Sequence, residues 1–596
     1  MMPPVASSVA ATTPAGLLLV LVVIVPVVGV LPAFVCGGRW LERITALTIA
    51  LGAGVAAALA LAVLHSDGPL VYLLGGWPPP LGVALRGDGL SAVMIAVTAL
   101  VVCAVGVFAR ADFHTPAETD EVRAPFAFWI LLLGIWGALN AIFVSGDLFT
   151  LYVGLELLTF AAVPLVSLDG RADTLAAALR YLLFALVGSV LYLIGAALLY
   201  GAYGTLDILL LSTRVHAEPA TVVAAALMTV GLLAKTALFP LHLWLPPAHA
   251  GAPAAASAVL SALVVKGSFF IVVRLWFDVM PALPGDAAAQ LLAALGAGAI
   301  LFGNVLALRQ ERLKLLVAYS TVAQIGYLFL MFPLAFSPAH RQLLGGSALT
   351  GGMLQAISHA TAKAAMFLAA GLMYAALGHD RITGLAGVGR AVPVSLLAFA
   401  LGGVALMGVP PGGAYVAKEL LLHAADETGQ WWWALVLQIG GVLTSSYLFL
   451  VLVHALGAAP KPIVLRAPIP LARQVAALAL ALCSLSLGLI YWRAPLPVPR
   501  GIVSNPLTAS GLWKVLWPVM GGAVVAILLG RWGDRLPRLT SRDDAVAMIA
   551  PARRASVALA GTLERADGAF RQWPLAGLSL LLLAIMFGAA MLAAGG

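Results

Sequence analysis

Leu232-Leu233-Ala234-Lys235-Thr236-Ala237-Leu238-Phe239-Pro240, followed by Pro246, Pro247 and Pro253, sets an ammonium group and then a proline inside a long apolar run. Proline removes a backbone donor and clashes with the preceding turn, so a helix entering this stretch must break. Carbonyls freed by a break within hydrocarbon are satisfied only by protein or water. The signature recurs at Gly408-Val409-Pro410-Pro411-Gly412-Gly413, which leads to Lys418. Two pairs of half-helices are therefore expected, broken at Pro240 and at Pro410, Pro411 and Gly412.

Around these breaks the chain of 596 residues is 62% hydrophobic and 10% charged. Its apolar runs repeatedly reach about 20 residues, enough to cross roughly 30 Å of hydrocarbon. Continuous runs of this kind exclude a β-barrel, whose strands alternate over about ten residues. The expected fold is an all-α polytopic membrane protein of about sixteen spans, starting near residues 15, 44, 90, 125, 146, 175, 219, 253, 284, 313, 346, 391, 431, 471, 511 and 575. The broken spans are the seventh and twelfth, and their odd offset inverts one relative to the other. Paired, interrupted spans of opposed orientation predict an inverted repeat with an ion site near the bilayer midplane. We divide the chain into N-terminal spans (1–124), an ion-translocating core (125–455) and C-terminal spans (456–596), the last with an interfacial amphipathic segment at about 540–573.

The net charge of +8 does not indicate nucleic acid, because the basic residues are spread over loops with no basic stripe of interleaved aromatics. Loops after odd-numbered spans hold about 22 Lys/Arg and the opposite side about 7. Both termini are thus expected outside a bacterial or archaeal-type plasma membrane. The first apolar run has no preceding positive charge and exceeds a signal-peptide core, so it is expected to remain as a span. Cys36, Cys103 and Cys483 are far apart and form no Cys-x-x-Cys, which supports neither an iron–sulfur cluster, a zinc site nor a disulfide framework. His242 and His249 have no Glu or Cys at a zinc-like spacing and read as polar lining of the first break. No cofactor, catalytic or redox site is expected in this chain.

Only seven lysines occur, and four of them, Lys235, Lys266, Lys363 and Lys418, lie within apolar stretches. A charge there costs at least a few kcal/mol even on permissive insertion scales, so such residues generally face a bundle interior and mark an ion path. Glu156 is the one carboxylate set deep in a span without an adjacent charge. Next to Lys235 it could stay ionised and titrate as one half of a coupled pair; a static charge pair joining two helices is the alternative. Lys266 lies mid-span, where desolvation makes a lysine readier to release its proton. His359 and Lys363 are four residues apart and share a helix face, which suits proton hand-over. Lys418 suits a terminal position, its neighbour Glu419 pointing elsewhere.

Taken together, these stretches resemble the antiporter-like membrane subunits shared by Mrp-type cation/proton antiporters (their D-type subunit), respiratory complex I and membrane-bound hydrogenases. The likeness runs over roughly residues 70–455. It is carried by Gly146-Asp147-Leu148-Phe149 through Glu156, Lys235 through Pro246, Ala248-His249-Ala250-Gly251-Ala252-Pro253 to Lys266, Leu313-Lys314 through Thr321, the His359/Lys363 segment, and Gly408-Val409-Pro410-Pro411 to Lys418. The resemblance implies a glutamate paired with the lysine of the first broken helix, a second lysine relaying inward, and a central His/Lys region leading to the second broken helix. Two departures stand out: Arg180 where many relatives have lysine, a charge that does not leave, and Gln324 where some have histidine.

The implied function is proton or cation translocation by one subunit of a multisubunit complex, through a lateral chain of buried Lys, Glu and His with water. An Mrp-type antiporter is the first reading. Alternatives are a proton-pumping subunit of a complex I-like or hydrogenase redox complex, and an ion-coupling subunit for inorganic-carbon uptake. The expected partners are other membrane subunits, lipid, and protons, with sodium the other candidate cargo.

Overall fold

The computed structural model describes residues 11–116, 122–459, 463, 465, 466, 468–490, 509–532, 558 and 561–595. Among them fourteen helices are long and apolar enough to cross a bilayer. In chain order, spans one to six are Leu17–Cys36, Gly38–Leu64, Gly89–Ala109, Arg123–Val144, Leu148–Val166 and Ala172–Tyr203. Spans seven to eleven are Pro219–Thr236, Ala254–Val279, Gly285–Arg309, Leu313–Leu334 and Ser347–Leu377. The twelfth, Pro393–Leu406, is shorter; the thirteenth and fourteenth are Trp431–Leu456 and Leu471–Leu489. The fifteenth is Ala509–Trp532, of which Trp513–Ile527 forms a shorter apolar stretch, and the sixteenth begins at Trp573. Each expected start thus lies within about six residues of the start of an apolar helix, but among the described residues fourteen helices, not sixteen, have the length of a crossing.

The twelfth is short because the Gly408–Gly413 break ends it; the chain resumes as the half-helix Gly413–Glu427. The seventh likewise stops at Thr236, turns through Ala237 at φ 60°, and resumes as Leu245–Gly251. Protein groups take up carbonyls at this break: the Leu238 amide donates to the Leu233 carbonyl (3.2 Å) and the Trp244 indole N–H to that of Ala234 (2.9 Å). Trp244 stacks on Tyr181 of the sixth span at 4.1 Å, which fixes the turn against its neighbour.

Glycine lets backbones approach where the bundle is tightest. A Cβ on Gly231 would lie 2.3 Å from the Gly188 carbonyl oxygen, and one on Gly326 would lie 2.3 Å from that of Gly296. These pairs join the sixth span to the seventh and the ninth to the tenth, the small-residue contacts that replace hydrophobic driving force in lipid. Burial follows a gradient. The eighth span is enclosed over its whole apolar window and the tenth nearly so, whereas the first, second and sixteenth are buried over less than a third of theirs. Span starts are capped where polar loops meet them: the Ser91 and Thr150 amides donate to Asp88 (2.9 Å) and Asp147 (2.8 Å).

The interfacial segment expected at 540–573 lies largely outside the described residues. Its described end is helical at 561–570 and docks on the bundle. Arg309 donates to Glu564 (2.8 Å), and the Tyr319 hydroxyl donates to Asp567 (2.9 Å).

Candidate functional site

The broken seventh span points its last turn at the fifth. Lys235 Nζ donates to Thr159 Oγ1 at 2.9 Å and the Leu155 carbonyl at 3.4 Å, with Glu156 Oε1 at 3.5 Å. Three acceptors around one ammonium, two of them neutral, let the site hold the charge while leaving the carboxylate contact loose. The Glu156 side chain is 16% exposed and that of Lys235 is 6% exposed. The structure therefore places Glu156 and Lys235 in contact.

Toward the molecule's centre, Thr236 Oγ1 donates to Ser268 Oγ at 3.0 Å. Ser268 and Lys235 line a void of about 10 Å³ between the fifth, sixth, seventh and eighth spans, about the volume of one water probe. Lys235 and Lys266 share no direct hydrogen bond.

The eighth span departs from α-helical geometry on both sides of Lys266, with π-helical segments at Leu260–Val264 and Arg274–Val279. Such bulges release carbonyls from the helical ladder and recur at functional sites. Here the Ser261 carbonyl accepts from Lys266 Nζ at 2.8 Å, and Lys266 Nζ also meets His359 Nδ1 in a short contact. Both side chains are buried, and the other ring nitrogen of His359 has no hydrogen-bond partner among the described residues. His359 thus offers one nitrogen to an amine and a second, open, for a proton relay.

One turn further on the eleventh span, Lys363 is fully buried, with Nζ donating to Ser320 Oγ (2.5 Å) and to the Val317 carbonyl (3.3 Å). From there neutral polar groups lead outward. Gln355 donates to Gln324 (3.0 Å), and Gln324 to Thr444 (3.4 Å). The buried Tyr447 hydroxyl has no partner of ordinary geometry among the described residues, yet Ser320, Gln324 and Thr444 face it. The last lysine, Lys418, follows the second break and donates to Gln438 (2.9 Å), while Glu419 lies 3.7 Å from Lys514. Lys363 and Lys418 do not touch. The stretch between them is a neutral amide and hydroxyl network, with Gln324 at its centre.

Thr159, Ser268, Ser320, Gln355, Thr444, Tyr447 and Gln438 were not singled out from the sequence. Their signal, a polar residue in an apolar run, is weak because Ser and Thr also satisfy themselves on their own helix, as Thr159 does on the Leu155 carbonyl at 2.8 Å. Of the two histidines flanking the first break, His242 lies 3.3 Å from Asp567, whereas His249 stacks on Phe367 at 4.6 Å and has both ring nitrogens unpartnered. They share no ligand geometry. Pro240 and the Pro410-Pro411-Gly412 segment stand at the two turns; a Cβ on Gly488 would lie 2.0 Å from the Pro411 carbonyl oxygen, so the fourteenth span closes tightly over the second break.

Comparison with known proteins places this geometry among relatives. A family described as NADH:quinone oxidoreductase/Mrp antiporter, transmembrane, matches residues 145–444, which include both breaks and all four lysines. NADH-quinone oxidoreductase subunit N of Desulforudis audaxviator is 33% identical over 452 residues, 73% of this chain and 86% of the relative. The D-type subunit of a Na(+)/H(+) antiporter of Bacillus subtilis is 28% identical over 386 residues, 64% of this chain and 75% of the relative. A chain in the structure of the Mrp complex from a Dietzia species superposes with a TM-score of 0.71 over 86% of this chain and 98% of its own length, at 24% identity, a likeness of fold.

Proposed function

Because the chain belongs to the NADH:quinone oxidoreductase/Mrp antiporter transmembrane family, we propose that it is a proton- or cation-translocating subunit of a multisubunit membrane complex, of Mrp antiporter type. The observation that carries this reading is the buried series Glu156/Lys235, Lys266/His359, Lys363 and Lys418, each ammonium held by hydroxyl, amide, imidazole or carbonyl groups of the bundle interior. Glu156 in contact with Lys235 favours the protonated amine; loss of that contact favours proton release toward Lys266. Like charges in series repel, so a proton arriving at one lysine raises the free energy of protonating the next. Coupling then needs no bound cofactor in this chain. The complex would sit in the plasma membrane, with both termini of this subunit outside, in keeping with the excess of Lys/Arg after odd-numbered spans.

A second reading, a proton-pumping subunit of a redox complex, is favoured by the likeness to the NADH-quinone oxidoreductase relative at 33% identity, against 28% for the antiporter relative. Electron carriers would then reside on other chains. Both readings require the same lysine series. The test is proton flux into proteoliposomes containing the purified complex. Lys235→Ala and Glu156→Gln are each expected to lower coupled transport by about tenfold or more, with subunit content unchanged. Wild-type flux in both variants would rule out the buried-axis mechanism.

A further inference from the structure

Far from the lysine series, a cavity of about 240 Å³ opens where the first two spans meet the connection between the third and fourth. Its lining includes Arg39, Glu42, Arg43, Arg110, Phe113 and Trp129. The turn that creates it is specific: Gly37 and Gly38 hold φ of 53° and 44°, so the second span begins immediately after the first ends and Arg39 lies at the junction. The floor is rigid, since the buried Trp129 indole donates to the Phe113 carbonyl (2.8 Å) and Phe113 stacks on Phe128 at 4.0 Å.

Among the described residues the charges do not balance. Glu42 takes Arg110 at 2.5 Å, Arg43 lies over the Trp40 ring at 5.1 Å, and Arg39 has no ion pair among the described residues. Among the described residues, two guanidinium groups therefore remain for an anion. Beside them the last turns of the first span expose Leu31, Phe34 and Val35, the last 81% exposed, and Trp40 is 49% exposed. An interfacial tryptophan, an exposed apolar helix end and two arginines without an ion pair among the described residues form a site polar at one edge and apolar at the other. A soluble anion would use only the first part. Both connections also lie on the arginine-rich side, which the positive-inside rule assigns to the cytoplasm, where anionic lipids gather.

We propose that this cavity seats the phosphate headgroup of an anionic phospholipid, with Arg39 and Arg43 as its charged partners and the acyl chains along the exposed end of the first span. Guanidinium suits this task because its planar fork bonds two phosphate oxygens at once. The proposal is independent of what the complex transports.

The test is native mass spectrometry of the intact complex, delipidated in mild detergent and then offered phosphatidylglycerol or phosphatidylcholine. Wild type is expected to retain phosphatidylglycerol over phosphatidylcholine, and Arg39→Gln/Arg43→Gln to lower that retention by about threefold or more. Arg39→Lys/Arg43→Lys, which keeps charge without the fork, should fall between them and controls for folding. Equal retention of both lipids, or of phosphatidylglycerol in wild type and the glutamine variant, overturns the proposal. Displacement of the lipid by inorganic phosphate at equal concentration would assign the site to a soluble anion and also overturn it. Finally, if wild type binds neither lipid and binding appears only in Glu118→Gln/Asp120→Asn/Glu121→Gln, the arginines are neutralised by the chain's own acidic connection and the site is not a lipid site.

Discussion

Lys266 is the residue whose chemistry is most constrained, since it faces a carbonyl and an imidazole with no carboxylate partner in its hydrogen bonds. Replacing it by arginine preserves charge but removes the ability to give up a proton. Lys266→Arg should therefore lower coupled flux in proteoliposomes about as much as Lys266→Ala, by tenfold or more; retention of flux by arginine alone would mean that fixed charge suffices and no proton passes through this site. Outside the spans, Asp88 makes a separate, testable contribution. Although burial opposes ionisation, Arg274 at 2.6 Å and the Ser91 amide lower its pKa from 3.8 to about 2. A depressed carboxylate stabilises the fold fully above its unfolded value and loses that stabilisation as pH falls through the folded one. The thermal deficit of Asp88→Asn relative to wild type should hold steady from about pH 7 to about pH 5 and shrink only between about pH 4 and about pH 2. A deficit that vanishes near pH 6 would point to another group. At this scale the sequence was readable where a residue is out of place: a lysine or lone glutamate in an apolar run has few innocent explanations. Gln438, Thr444 and Tyr447 were not readable, because what distinguishes them is whom they face across three helices, not their place in any one.

Breaks were legible as elements because proline acts locally, through its missing N–H and its ring, whatever surrounds it. The π-helical segments around Lys266 were not. Leu260–Val264 carries no glycine or proline, and its extra residue per turn is sustained by partners such as Thr321, whose hydroxyl is 2.9 Å from that of Ser261. Interhelical distance was equally hidden, for glycines are abundant and nothing in the sequence marks the opposed pairs Gly188/Gly231 and Gly296/Gly326. Gly231→Val forces a side chain into the Gly188 carbonyl and, by parting the sixth and seventh spans, also shifts the Lys235 end of the break. It should cost about 1–3 kcal/mol of stability, seen as a lower melting temperature of the detergent-solubilised complex, together with reduced flux. Gly201→Val, on the same sixth span but with open space where its Cβ would stand, is the control and should leave both unchanged. The 561–570 helix presents the same lesson in reverse. Its amphipathic pattern suggests an interfacial helix, but that Asp567 seeks Tyr319 and His242 is a long-range fact. Bonds from His242, Arg571 and Tyr319 outweigh burial and hold the Asp567 carboxyl below its usual range, so the docked helix carries an ionised acid at neutral pH.

For the whole molecule, hydropathy was enough to read an all-helical polytopic membrane protein, because bilayer thickness acts on every span alike, whereas its being a subunit was read from the resemblance. Hydropathy is silent on partners, since a helix facing lipid and one facing a neighbouring subunit are both apolar. The first, second and sixteenth spans bury less than a third of their apolar windows, so the surfaces open to other subunits are as hydrophobic as those open to lipid. What drives the lysine series is therefore a property of the assembly. An antiporter draws on an existing ion gradient and needs no electron carrier, whereas the redox reading proposed above would place its electron carriers on companion chains. The native complex purified in mild detergent should be colourless, with small membrane subunits as its companions, and its proteoliposomes should show cation-dependent proton flux. Visible absorbance that travels with this chain through two purification steps would instead make the redox reading the correct one. Lys235→Ala separates that outcome from failure of the lysine series itself, because in a redox complex it should abolish pumping while the companion chains keep their absorbance.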